Sequence, residues 1–135
     1  MILVVCVDDN MGLALFGRRQ SRDKLLIANL TALAAGEKIY MSPRSAMLFE
    51  NSGANIVPHE DFAFMAKEGE YCFNEFISPA TLAERAEKII LYRWNRRYQA
   101  DLFFDIDMRA WKLESSTDFP GSSHEKITRE VYIHE

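Results

Sequence analysis

The sequence predicts an α/β fold with a mostly parallel central sheet, flanking helices and an antiparallel C-terminal hairpin. Three observations carry that prediction. Met1 to Val7 is an apolar, β-branched run without a polar break, the pattern of a strand buried on both faces. Strand patterns then alternate with helix starts at Ser21, Ser42-Pro43 and Ser78-Pro79, and such alternation implies parallel strands covered by helices. The tail is strand-rich, with two runs that can pair across Asp118 to His124. A length of 135 residues points to one domain over residues 1–135. The chain contains no internal repeat, low-complexity stretch or linker-like segment.

Asp8 to Gly12 has turn chemistry after the first strand, and Leu13 to Gln20 reads as a surface loop. Ser21 begins a helix as its cap, and Asp23 places a negative charge at the helix start. Leu25, Leu26, Asn29, Leu30 and Leu33 recur at helical spacing, and Gly36 supplies the stop. Lys38 to Met41 is a short strand. Ser42-Pro43 starts a second helix, with Ser as cap and Pro at the first helical position, running to Gly53. Asn55 to Val57 and Glu70 to Phe73 are strands, with one or two ambiguous turns between His59 and Gly69. Ser78-Pro79 repeats the cap for a helix to about Ala86. Lys88 to Trp94 is a long strand and Leu102 to Phe104 a short one. Trp111 to Ser115 and Lys126 to Ile133 form the final pair, with Ile127, Arg129, Val131 and Ile133 on one face by period two.

Composition narrows the function classes. Apolar residues make up 48% and charged residues 27%, the balance of a folded globule. The net charge of −4 does not suit bulk nucleic-acid binding. No apolar run approaches the ~20 residues of a transmembrane helix, and Asp8-Asp9 follows the first apolar run too soon for a secretory signal. Cys6 and Cys72 sit in apolar stretches without CxxC spacing, which reads as two buried free thiols rather than a zinc site. A cytoplasmic location and no membrane partner are the resulting expectations.

Ligands of open α/β sheets bind beyond the carboxyl ends of the strands. Asp23, at the start of the first helix, is therefore either a cap residue or a buried acid facing a cleft. Arg18, Arg19 and Arg22 form one basic cluster. Arg93, Arg96 and Arg97, with Trp94 and Tyr98, form another, and basic residues interleaved with aromatics can hold nucleic acid by phosphate contact and stacking. On an acidic chain the simpler reading is a solvated surface. His59, His124 and His134 share no metal-ligand spacing. No Ser-His-Asp or Cys-His order stands out, and neither common phosphate-binding glycine loop is present.

The motifs, taken in order, resemble the dihydrofolate reductase family. Val4 to Gly12 resembles that family's first strand and the following "D-x-N-x-G-I-G" turn. Lys38 to Ser45 resembles its "V-I-M-G-R-x-T" segment, Ala86 to Leu91 its "A-x-x-L-Y-L" strand, and Asp101 to Phe104 its "D-T-x-F-P" segment. Trp111, and then Asp118 to Tyr132, resemble its terminal hairpin. The resemblance implies a dihydrofolate-reductase-like fold. It puts Asp23 at the catalytic carboxylate, with a spacing from Gly12 about one residue short, and Arg44 and Ser45 at the contacts to NADPH phosphate.

The departures bear on function. The family's paired-glycine turn, where backbone approaches the cofactor pyrophosphate, falls at Phe73-Asn74-Glu75. Glu75 adds a negative charge there. The family's Pro-Trp falls at Gly17-Arg18, its folate-gripping arginine near Gly53, and its supporting threonine near Tyr92. Much of its adenosine-binding region is missing between Gly53 and Glu70. The expectation is a dihydrofolate-reductase-like protein without the standard NADPH site and with no cofactor, acting as a small-molecule-binding or interaction protein. A divergent NADPH-dependent dihydrofolate or pterin reductase, with Asp23 as its acid, is the alternative. A nucleic-acid accessory protein is the second.

Overall fold

The computed structural model describes residues 1–135. Ten strands are present: β1 (Ile2–Val7), β2 (Gly12–Leu15), β3 (Arg18–Arg19), β4 (Ile39–Met41), β5 (Ile56–Pro58), β6 (Tyr71–Phe73), β7 (Lys88–Arg93), β8 (Leu102–Phe103), β9 (Trp111–Phe119) and β10 (Ile127–His134). Two helices, α1 (Lys24–Ala34) and α2 (Pro43–Ala46), accompany them. The main sheet has seven strands in the order β5-β4-β6-β1-β7-β10-β9. From β5 to β7 all neighbours are parallel, and β10 joins antiparallel to both β7 and β9. The predicted mixed architecture, with its antiparallel C-terminal pair, is the observed one.

β1 lies at the centre of this sheet, paired with β6 on one side and β7 on the other. Alternation along it divides the core. Leu3, Val5 and Val7 face a cluster with Cys72, Leu82, Ile89 and Leu91, while Ile2 and Val4 face α1 through Leu26, Ile27 and Leu30. Both faces are covered, so no polar residue interrupts the strand until Asp8. Asp8 is itself buried, and its Oδ1 accepts the Asn10 and Gly12 amides at 2.9 and 2.8 Å while Oδ2 accepts the Tyr98 amide at 2.9 Å. A Cβ on Gly12 would meet Ala100 Cβ at 2.5 Å, which is why glycine stands there.

Several boundaries differ from expectation. Residues 13–20 are not a plain loop: β2 and β3 form a hairpin, and β8 pairs with β2 to complete a three-stranded sheet. Ser21 does not cap the first helix. Asp23 does, in extended conformation, its carboxylate accepting the Leu25 and Leu26 amides. The end of α1 is an Ala35 in the left-handed region (φ 50°), followed by Gly36 at φ 88°. The helix begun by Ser42-Pro43 is one α turn and then a 3₁₀ turn over Met47–Phe49, shorter than a helix to Gly53. Residues 79–85 are 3₁₀ rather than α, and Ser78 makes no capping bond because its hydroxyl goes to Asp105 instead. β9 extends four residues beyond the predicted Ser115 because β10 offers pairing partners up to Phe119.

Candidate functional site

The carboxyl ends of β1, β4, β6 and β7 and the N-terminus of α1 meet on one side of the sheet. Asp23 enters this region because the chain leaves β3 extended and turns into α1 there. Its Oδ1 accepts the Leu25, Leu26 and Ser122 amides at 2.9, 3.2 and 2.9 Å and the Ser122 hydroxyl at 3.1 Å. Its Oδ2 accepts the Ser123 amide at 2.8 Å and lies 3.0 Å from His124 Nδ1. The carboxylate thus ties the start of α1 to the turn between β9 and β10. A Cβ on Gly121 would collide with Oδ2 and come within 2.8 Å of the His124 carbonyl, so this turn requires glycine. Burial pushes the Asp23 carboxyl up, but hydrogen bonds from Ser122, Ser123, His124 and Leu26 outweigh it and hold the group well below the ordinary carboxylate range.

His124 is buried beside Asp23, only 4% exposed. Because a carboxylate can only accept, the Nδ1 facing it carries the hydrogen. Nε2 lies 3.0 Å from the Tyr98 hydroxyl and 3.2 Å from Ser21 Oγ. The ring stacks on Trp94 at 4.7 Å between centroids. His59 and His134 lie elsewhere: His59 Nδ1 accepts the Asp61 amide, and His134 stacks on Trp111. No cluster of His, Cys, Asp and Glu is arranged to hold a metal.

Arg44 and Ser45 lie in α2, which Ser42 caps by accepting the Ser45 amide at 3.2 Å. Ser45 is buried and donates its hydroxyl to Glu75 Oε1 at 2.7 Å. Arg19 binds the same carboxylate through Nε and Nη2, each at 2.9 Å. That bond raises the Arg19 pKa further. Arg44 does not join them; its guanidinium lies 3.6 Å above the Phe76 ring. The turn carrying Glu75 is built by Asn74, whose side chain accepts the Ile77 amide and donates to the Ile77 carbonyl.

Tyr92 is fully buried and gives its hydroxyl to Asn29 Oδ1 at 2.7 Å, not to Asp23. Arg129 donates to the same oxygen at 2.9 Å. Gly17 and Gly53 both have positive φ and open space around them. The two arginine clusters do not survive as clusters: Arg19 pairs with Glu75 and Arg93 with Glu130, while Arg18, Arg22, Arg96 and Arg97 are exposed. Trp94, expected among them as a stacking platform, is buried. A small cleft with free space of about 10 Å³, roughly the room of one water molecule, lies beside the start of α1. Cys6, Ser21, Leu26, Leu48, Glu75 and Trp94 are among its lining residues.

Glu75, Ser21 and His124 are the residues whose roles in this site the sequence did not reveal. Glu75 was legible only as a charge in an unfavourable place. Ser21 read as a cap and His124 as an isolated histidine. The single local signal was the Gly121-Ser-Ser-His124 turn, rich in donors.

This is the fold of a dihydrofolate reductase. The chain is similar to the solved dihydrofolate reductase from Enterococcus faecalis complexed with NADP(H) and RAB-propyl, with a TM-score of 0.64, 11% identity, and coverage of 99% of this chain and 95% of that one. At that identity the likeness is one of fold. No protein-family model matches the sequence, and no curated protein matches it either.

Proposed function

We propose that this chain is a dihydrofolate-reductase-like scaffold that does not hold NADPH in the standard way and acts instead as a small-molecule-binding or interaction protein. The observation that carries the first half is the Glu75 carboxylate. A phosphate needs donors, and Ser45 Oγ and Arg19, the donors grouped at the end of β6, are both turned onto Glu75. An NADPH phosphate placed against them would meet a like charge, because Glu75 stands where the family's turn carries a glycine. These residues do not fit the cofactor's phosphates. Asp23, the expected acid, spends both oxygens on capping and on the β9–β10 turn. The second half rests on the cleft beside α1, where Leu26, Leu48 and Trp94 stand next to Arg22, Asp23 and Glu75; its free space of about 10 Å³ has to widen before it admits anything larger than water. A cytoplasmic setting belongs to the same reading and is supported by the two free thiols. No helix is long and apolar enough to cross a membrane.

Thermal unfolding with NADPH, and separately with a folate analogue, tests the proposal. A ligand at ~100 times its Kd adds roughly 2.7 kcal/mol, which moves the Tm of a domain this size by several degrees. No shift with millimolar NADPH is the expected result. A clear NADPH shift overturns the reading and restores the reductase alternative. A shift with the folate analogue alone supports a retained small-molecule pocket.

A further inference from the structure

We propose that Ser21, His124 and Asp23 form an acyl-transfer site, with Ser21 as nucleophile toward short-chain carboxylic esters. Three side chains from distant parts of the sequence stand in a relay. Asp23 Oδ2 lies 3.0 Å from His124 Nδ1, and His124 Nε2 lies 3.2 Å from Ser21 Oγ. The carboxylate fixes the hydrogen on Nδ1, so Nε2 presents its lone pair toward the serine hydroxyl. Asp23 and His124 are each 4% exposed, whereas Ser21 is half-buried and lines the cleft. The base is therefore dry and the nucleophile reachable. Trp94 stacking and two Asp23 contacts to the Ser122 and Ser123 amides hold the imidazole and the carboxylate in place. The backbone amides of Arg22 and Asp23, directly after Ser21, donate to no group within the protein.

The step balances with ester and water alone. Ser21 Oγ forms a bond to the ester carbonyl carbon as its proton passes to His124 Nε2. The carbon–alkoxide bond then breaks, and His124 returns that proton to the leaving alcohol. Water next attacks the acyl carbon, gives a proton to His124, and releases the acid as Ser21 regains its hydrogen. Asp23 orients the ring and offsets the imidazolium charge; it is a positioning residue. Tyr98 competes: its hydroxyl also lies 3.0 Å from Nε2, so the base divides between two hydroxyls.

The inference rests on the cleft widening to admit a small molecule, as proposed above. The experiment is incubation of the full chain with a fluorophosphonate probe, followed by intact mass and peptide mapping. The expected result is one phosphonyl adduct on Ser21, with loss of fluoride. Ser21→Ala removes the adduct, Asp23→Asn slows labelling at least tenfold, and Tyr98→Phe speeds it. Circular dichroism on each variant separates lost chemistry from lost fold. Absence of an adduct on the wild-type chain, or an adduct that survives Ser21→Ala, overturns the inference. Labelling that fails while NADPH still gives no thermal shift overturns the nucleophile alone and leaves the earlier reading standing.

Discussion

Asp23 joins two regions of the chain that are about a hundred residues apart in sequence. Its carboxylate caps α1 locally and binds the Ser122, Ser123 and His124 donors across the fold. Because these bonds hold its folded pKa below the unfolded value, the stability it contributes is fully present above the ordinary carboxyl range, begins to fall as pH drops through that range, and is lost only as pH approaches the lower folded pKa. Asp23→Asn keeps an oxygen for the Leu25 and Leu26 amides but turns an amide group toward other donors. We expect it to destabilise the protein by about 2–3 kcal/mol near neutral pH, the scale of hydrogen bonds to a buried charged group. The difference from wild type should narrow below about pH 4, where the unfolded carboxyl takes up its proton. Urea titrations of both proteins from pH 7 to pH 3 check this. A difference that stays constant over that span would show that the charge plays no part. Burial also matters at Cys72, whose thiol is pushed up to about 12, so it stays protonated and inert at neutral pH. The partly exposed Cys6 thiol is raised as well, by burial and by the Glu75 charge.

At the scale of elements, α1 is the part on which both the core and the candidate site depend. Leu26, Ile27, Leu30 and Ala34 bury its inner face against β1, while its N-terminus positions Asp23. Its far end carries backbone strain. Ala35 occupies the left-handed region, and its amide donates to the Thr31 carbonyl to close the last turn. An L side chain in that conformation costs roughly 1–2 kcal/mol, and glycine removes the clash at some cost in unfolded-state entropy. Ala35→Gly should therefore stabilise the protein by about 0.5–1 kcal/mol, read as a rise in denaturation midpoint at unchanged m-value. A fall would mean that the Ala35 methyl makes a contact worth more than the backbone strain. The turn between β9 and β10 is the counterpart of α1 in the site, since it brings His124 to Asp23.

For the whole molecule, the last strand is not a decoration on an edge. β10 lies between β7 and β9, matching Thr128 to Arg93 and Ile127 to Phe119, and it supplies Ile127 and Val131 to the core on the α1 side. A chain ending at Lys126 loses that pairing on both sides and exposes buried residues of β7, including Ile90 and Tyr92. It should show no cooperative thermal transition, measured by near-ultraviolet circular dichroism. A sharp transition in the truncated chain would mean that β1 to β7 form an independent core. The same topology explains the chemistry available to the molecule. A parallel sheet directs its carboxyl ends to one side, so Ser45, Glu75, Trp94 and the start of α1 converge there whatever the chain uses them for.

The strand at Ile2–Val7, the helix between Asp23 and Gly36, and the paired strands at the C-terminus were legible in the sequence, because burial on two faces, helical periodicity and turn residues are local signals. So was the likeness of fold, since short motifs in the right order record where the chain must turn. The 3₁₀ geometry of residues 79–85 was not, because Ser78 chose a partner 27 residues away over its own helix. Nor was the β2–β3–β8 sheet, whose third strand arrives from residue 102. The site was the least legible of all. Asp23, Arg44 and Ser45 were identified as positions, but the partners of Asp23 and Ser45 were decided by tertiary structure: Ser45 by Glu75, 30 residues on, and Asp23 by His124, 101 residues on. The sequence determines which side chains can donate, accept or cap, since those are properties of single residues and their neighbours. Which donor meets which acceptor depends on the closure of long loops and the crossing of strands, and the complete chain has to fold before that pairing exists.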